Sequence, residues 1–475
     1  MAATPSTASA ERRPALTFRL PRVGTWPALE ILGIVAVTGL ALVLRLHGLT
    51  DAPLFTDDLD EMQFAWAGLN LIQHGDPITW SYYPGYPSYE AFTAFGVTVP
   101  LVHHWMDHPP LYSLLIGGWV WLLGARDMTG FDAAEVRLVP VACSTLTVPL
   151  TYLLGRRFIG AGAAMVGALL LATAPAAVLL GRVAEPESAQ AVLLLLALLL
   201  TLRVLDGRAG AITVLVLLVC AVAAPLLKVS GIAIAGICAV ILAASGRWKL
   251  AGILAGGGAL GIVLFAVYGA FVDWGQFVRT WGVQASNRIS VMSAFDFITA
   301  PSGLNRRLRD GWWLLGWIGL GLLAARRLGR RELFLIWPAA AYTVTMLVLA
   351  GEKEVEQYGW YRVIVYPELY LAAGWLAWEA VRRRSLPLLT ILLALGGATA
   401  TNWWLGGADS AWVPNPLLLC VLIGAVLLPA VLVLWRPDDR RTWRIAGWTS
   451  GAAVALMALG GTIESLQLDR FFFRM

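Results

Sequence analysis

Apolar runs of about 16 to 22 residues recur along most of the chain, broken by short polar or basic stretches. Their length and their Leu, Ala, Val and Gly content fit membrane-crossing helices. They do not fit the alternating strands of about ten residues that build an outer-membrane barrel. The pattern predicts helices near 27–46, 134–154, 160–180, 188–205, 210–227, 229–245, 250–271, 311–325, 333–350, 363–381, 385–402, 415–435 and 443–463. The predicted fold class is therefore an all-α integral membrane protein with about thirteen transmembrane helices. Only 14% of the residues are charged and the mean hydropathy is +0.70. Such a chain needs the bilayer as solvent, and helices satisfy their backbone groups internally there.

Basic clusters orient the helices. Arg12, Arg13, Arg19 and Arg22 precede the first run, and Arg156–Arg157, Arg203, Arg208, Arg247, Lys249, Arg326–Arg327, Arg382–Arg384 and Arg440–Arg444 follow alternate later ones. All fall on one side if the N-terminus is cytoplasmic, which places the chain in the plasma membrane with the C-terminus outside. Arg306, Arg307 and Arg309 fall in a long outer segment, where the rule is weaker. Residues 1–26 read as a disordered cytoplasmic tail, 27–463 as the transmembrane domain and 464–475 as an outer tail. No small-residue cleavage site follows the first run, so it reads as a retained helix. The net charge of +5 resides in these orienting clusters and gives no nucleic-acid signal. Cys143, Cys220, Cys238 and Cys420 lie in apolar runs without metal-ligand spacing and read as core residues.

The outlying region is the first outer loop, 47–133. Residues 46–125 contain no Lys or Arg but eight carboxylates and all five histidines. Within it, Leu59, Met62, Trp66, Leu69 and Ile72 recur at helical spacing, which predicts an amphipathic helix over 58–74 lying on the membrane. Residues 109–124 read as a re-entrant or interfacial helix, because a span there would invert every later loop. A second long outer loop is expected over 272–310.

Four clusters carry candidate chemistry. In TDDLDEM, 56–62, Asp58 and Glu61 have capping-box spacing, which leaves Asp57 and Asp60 unassigned. A carboxylate at the membrane boundary suits a general base. In HHWMDHPPLY, 103–112, His103, His104, Asp107 and His108 can ligate a divalent metal, or can simply form a hydrated turn. Pro109 and Pro110 then start the next helix. In GRVAEPES, 181–188, Arg182, Glu185 and Glu187 form either a substrate surface or a salt-bridged turn. In 352–367, Lys353 and Arg362 with Tyr361 bind a phosphate or anchor the chain at the interface.

Taken in order, DEMQFAWAGLNLIQHGD (60–76), HPPLY (108–112), RLVPVACSTLTVPLTYLLGRRFIG (137–160) and GRVAEPESAQAVLLL (181–195) resemble the C superfamily of membrane glycosyltransferases. The nearest look-alikes are the bacterial protein O-mannosyltransferase and lipid A aminoarabinose transferase families. The resemblance covers about 30–235 well. It implies a polyprenyl-phosphate sugar donor used on the outer face and a catalytic Asp, which falls on Asp60. Glu61 and Glu187 are implied as further catalytic acids, with Asp58, Arg182, Glu185, Lys353, Tyr361 and Arg362 binding substrate. The acid–base pair before the prolines falls on Asp107 and His108. Glu187 stands where many relatives have Asp, and His108 where the aminoarabinose branch has Lys.

The expected reaction moves a sugar onto a hydroxyl of a lipid, glycan or protein. Asp60 takes the proton, and Arg362, Lys353 or a divalent metal ion meets the leaving phosphate. A transporter or flippase of lipid-linked sugars, and a non-catalytic envelope-assembly subunit, are the competing readings. Transporters place ionisable groups near the bilayer midplane and carry internal repeats. Here the acids cluster in outer loops, no repeat is visible, and Lys228 is the main charge within a span.

Overall fold

The computed structural model describes residues 27–56, 58–83, 85–86, 89–286, 293, 297–298, 311–325, 333–349, 359–406 and 416–468. The chain is mostly helical. Helix α1 (Ala28–Leu46) leads into the first loop, which holds α2 (Asp60–His74), three short strands and α3 (Pro110–Leu123). Then follow α4 (Ala133–Phe158), α5 (Ala161–Thr173), α6 (Pro175–Leu180), α7 (Glu187–Leu205), α8 (Ala211–Leu227), α9 (Ile232–Ala244) and α10 (Trp248–Ser286). The last are α11 (Gly311–Ala325), α12 (Leu333–Leu349), α13 (Tyr366–Arg382), α14 (Leu386–Gly406), α15 (Pro416–Trp435) and α16 (Arg440–Ser465).

Helices stand at each position the apolar pattern marks, but their lengths differ. Among the described residues, five are by themselves long and apolar enough to cross a membrane: α1, α4, α7, α10 and α16. Other runs, such as those of α5, α8 and α9, form shorter apolar helices, and five is the number of crossings that length and composition support among the described residues. The main core joins α4, α5, α7, α9 and α13 through residues such as Tyr152, Leu171, Leu195, Ile237 and Leu371.

The first loop is built more firmly than expected. All ten residues from Glu61 to Asn70 are buried, so α2 is enclosed on every side and does not lie on a surface with one apolar stripe. It crosses α3 with backbones touching. A Cβ on Gly68 would stand 1.8 Å from the Ser113 carbonyl oxygen, and one on Gly117 would stand 2.3 Å from the Gly68 carbonyl carbon. The helices meet because both positions lack a side chain. The loop has its own core around Met62, Phe64, Trp66, Trp105, Tyr112 and Ile116.

The strands β1 (Thr79–Trp80), β2 (Glu90–Ala94) and β3 (Val97–Val102) were not foreseen. They form an antiparallel sheet in the order β1-β3-β2. The β2–β3 turn places Phe95 and Gly96 at φ 52° and 82°. Two positive φ values suit a two-residue hairpin, and the alternation in TAFGVTV was its legible sign. The second outer loop also differs. Helix α10 bends at Asp273, whose φ of −165° is extended, and stays helical to Ser286 where a loop was expected from 272.

Candidate active site

The acidic residues converge where α2, the 181–186 turn, the start of α7 and the end of α8 meet. Asp60 is the first residue of α2 and is half-buried. Asp58 is buried just before it, and its Oδ1 accepts the Asp60 amide at 3.2 Å. The expected capping box with Glu61 does not form, because Leu59 is the cap residue and caps nothing by side chain. Asp132 and Glu135 make that motif instead, at the head of α4.

Glu61 is held elsewhere. Its carboxylate takes Arg137 Nε at 2.9 Å and Nη2 at 2.5 Å, and also the Ala184 amide at 2.9 Å. Arg137 in turn donates to the Leu49 and Pro53 carbonyls at 2.7 and 2.8 Å. Both side chains are fully buried. The assignment of Glu61 as a catalytic acid is therefore corrected. It ties α2 to α4 and to the 181–186 turn, and holds Asp60 in place. Arg182 is corrected likewise from substrate binding to a staple. Its guanidinium donates to the carbonyls of Leu44, His47, Gly48 and Ala52 at 2.5 to 3.3 Å, satisfying the end of α1.

Lys228, noted in the sequence only as the exceptional charge within a span, is the cation of the site. It ends α8 in an extended conformation, φ −159°, ahead of a short 3₁₀ turn over Val229–Gly231. Gln190 Nε2 accepts this break by donating to the Lys228 carbonyl at 2.9 Å. The freed side chain reaches Glu187 Oε1 at 2.6 Å and Glu185 Oε2 at 3.5 Å. Its ammonium sits 4.5 Å from the centre of the Tyr361 ring. His108, Lys228, Ser230, Trp281 and Tyr361 line a small pocket of about 40 Å³.

One oxygen each of Asp58, Asp60 and Glu185 lies within 4.8 Å of the others. Burial and the neighbouring carboxylates raise Asp58 well above the usual carboxylate range. Burial raises Glu185 likewise, opposed by Lys228 and helped by Glu187, Asp60 and Asp58. Asp60 is pushed up to about 6, chiefly by burial; Lys228 opposes this, while Asp107, Glu187 and Glu61 add to it. Among the described residues, Asp58 Oδ2 and Glu185 Oε1 are buried without a hydrogen-bond partner. Crowded, orphaned carboxylate oxygens fit a proton or a hard cation.

The histidine-based metal set is not assembled. His103 and His104 both turn Nδ1 to Asp76, at 2.8 and 3.0 Å. Asp107 accepts from Ser81 Oγ at 2.7 Å, Tyr86 OH at 2.7 Å and Trp105 Nε1 at 2.8 Å. Those neutral donors make it a buried brace for the loop. His108 alone of the three reaches the pocket, packed against Phe64 and Trp105. Pro110 does begin α3, as the sequence suggested. Trp281 and Gln284, on the far part of α10, donate to the Met106 and Asp107 carbonyls at 3.0 Å each and close the loop over the pocket.

Tyr361 and Arg362 lie in a 3₁₀ segment, Trp360–Val365. Tyr361 joins the pocket. Arg362 is only 3% exposed and is not among the pocket's lining residues. Interfacial anchoring requires an exposed head group, so that reading of Arg362 does not hold. Asp57, Lys353 and the 306–309 arginines lie outside the described residues.

The chain is similar to one family model over part of its length and, in its fold, to several solved structures. The family model for dolichyl-phosphate-mannose-protein mannosyltransferases matches residues 107–270. ArnT from Cupriavidus metallidurans in the apo state has 18% sequence identity and a TM-score of 0.56, over 93% of this chain and 77% of that one. The same protein bound to undecaprenyl phosphate gives a TM-score of 0.52 at 18% identity, over the same shares of the two chains. The arabinosyltransferase EmbB from Mycobacterium smegmatis gives 16% identity and 0.55, over 94% of this chain and 42% of that one. The chain thus spans less than half of EmbB. A search of curated proteins by sequence finds no match.

Proposed function

We propose that the protein transfers a sugar from a polyprenyl-phosphate donor to an acceptor hydroxyl on the outer face of the membrane. The reading is carried by one juxtaposition: a half-buried carboxylate, Asp60, shares a cluster with a buried lysine, Lys228, beside an aromatic pocket. The family match and the undecaprenyl phosphate in one ArnT structure support the donor class.

The acceptor oxygen attacks the anomeric carbon as Asp60 takes its proton, and the sugar–phosphate bond breaks with its electrons on the phosphate. A pKa near 6 leaves Asp60 ionised at neutral pH yet more basic than an ordinary aspartate. Lys228 faces the phosphate, with Glu187 holding its ammonium in place. Tyr361 and Trp281 give the sugar or lipid an aromatic wall. Asp58, Asp60 and Glu185 would hold a divalent metal ion, which when bound supplies positive charge near the leaving group. The acceptor is a lipid, glycan or protein hydroxyl.

The test is turnover of a defined polyprenyl-phosphate sugar by the purified protein in detergent. Release of polyprenyl phosphate only in the presence of an acceptor, abolished by Asp60→Asn, supports the reading. Movement of intact donor across proteoliposomes without cleavage would mark a flippase instead.

A further inference from the structure

A second cluster lies at the opposite end of the bundle. Helix α13 starts at Tyr366, five residues after Tyr361 of the site, and ends at Arg382. At 1.5 Å per residue its ends stand about 24 Å apart. Where it ends, the first turns of α16 approach it. Between them runs an open groove of about 930 Å³, rimmed by Arg382, Arg384, Arg440 and Arg444, with Trp443 and Trp448 on its wall.

Among the described residues, no carboxylate forms an ion pair with any of these four arginines. The acids on the same turns are engaged. Asp439 caps α16 by accepting from the Arg441 and Thr442 amides and the Thr442 hydroxyl. Glu379 pairs with Arg383, which points elsewhere. Arg384 is held at a φ of +51°, in the left-handed region that an arginine rarely occupies. Like charges lining one groove repel one another, and an anion among them relieves this.

The groove continues into an apolar slot of about 260 Å³, and Arg382, Gly447 and Gly451 line both. Val166 of α5, Trp378 of α13 and Val454 of α16 form its walls. Ser450 lines the slot and is fully buried, and its Oγ has no hydrogen-bond partner. A buried hydroxyl of this kind normally finds an acceptor or donor. A Cβ built on Gly451 meets nothing within 4 Å. The glycine is therefore not required for helix packing; it leaves the slot open.

A basic rim above an apolar slot is the complement of an amphiphile with an anionic head. We propose that this groove binds an anionic phospholipid of the leaflet next to the basic loops. The arginines hold the phosphate, one acyl chain fills the slot, and an ester carbonyl accepts from Ser450 Oγ. Guanidinium forks suit the phosphate oxygens, and basic pockets between membrane helices on the cytoplasmic side are the places where such head groups bind. Soluble anions lack the chain that the slot accommodates. The inference is independent of the glycosyl-transfer reading.

The experiment is native mass spectrometry of the delipidated full-length protein. It is titrated with dioleoyl phosphatidylglycerol, with dioleoyl phosphatidylcholine and with inorganic phosphate. Phosphatidylglycerol should bind at least roughly tenfold more tightly than phosphatidylcholine. The double variant Arg440→Gln/Arg444→Gln should lose that preference. Gly451→Leu, whose Cβ enters open space, should weaken phosphatidylglycerol binding and leave the melting temperature in phosphatidylcholine unchanged. Equal binding of the two lipids, or a preference that survives both variants, overturns the proposal. Inorganic phosphate competing as well as the lipid also overturns it, because the rim would then be a soluble-anion site.

Discussion

Lys228 and Glu187 form a buried ion pair, Nζ to Oε1 2.6 Å, that joins the end of α8 to the start of α7. Glu185 and the Tyr361 ring flank the same ammonium. Lys228 thus faces Glu187 and Glu185 and acts on Asp60, whereas Glu61 is paired with Arg137. The cluster carries more negative than positive charge, and burial makes that costly. Protons or a cation would offset this, and a crowded, buried set of carboxylates is a candidate site for that reason.

The first consequence is a pH profile. Turnover should rise with pH through about 6 and level off above it, as Asp60 loses its proton and becomes able to accept one. Lys228 lowers the Asp60 pKa, so Lys228→Gln should shift this acid limb to higher pH as well as reduce the plateau. A limb that stays in place in the variant would separate the two residues. Asp60→Asn should lower turnover by about two to four orders of magnitude with normal expression.

Stability should respond differently at neighbouring acids. Glu61→Gln leaves Arg137 buried without its partner and should cost about 3–5 kcal/mol, read as a lower thermal midpoint. Asp58 behaves in the opposite way. Its folded pKa is raised, so its contribution to stability is present at low pH and lost as pH rises through that folded value. Asp58→Asn should therefore match the parent at low pH and gain stability relative to it at high pH. Parallel losses in both variants across pH would contradict the distinction.

Much of the helical framework was legible, because a 20-residue apolar run leaves a chain little choice in lipid. Asp60, Glu185, Glu187 and Tyr361 were found from acid-rich loops and motif order, and they do meet in space. Roles were harder to read than positions. Glu61 and Arg182 look like active-site charges in the sequence, but their partners, Arg137 and the 44–52 carbonyls, lie far along the chain. The histidines misled for the same reason: proximity in sequence suggested ligands, while Asp76 had already taken two of them. Lys228 carried a usable sign. An ionisable residue ending an apolar span is a functional candidate by default, and this one is buried beside Glu187.

The orphaned oxygens of Asp58 and Glu185 give the proposed metal site a direct test. A divalent ion such as Mg²⁺ or Mn²⁺ should raise the thermal midpoint, by the equivalent of about 2.7 kcal/mol at a hundredfold excess over its Kd. Asp58→Asn and Glu185→Gln should each abolish the rise, and His104→Ala should not. Loss in the histidine variant alone would restore the sequence-based ligand set. No stabilisation by any divalent ion would leave protons as the only counter-charge.

The remaining prediction concerns which face of the membrane carries the acids. Glu90 lies on the exposed strand β2, in the same loop as Asp60, and Asp438 is exposed in the turn before α16. Because both positions are open to solvent, unequal labelling cannot be blamed on burial. By the positive-inside rule Arg440–Arg444 are expected in the cytoplasm and the stretch 46–125, free of Lys and Arg, outside. In intact cells, Glu90→Cys should react with an impermeant thiol reagent and Asp438→Cys should react only after lysis, with the parent chain as control for Cys143. The converse pattern would move Asp60 and Lys228 to the cytoplasmic side. Soluble nucleotide sugars are available there, and the case for a lipid-linked donor would then lose the spatial argument that favours it.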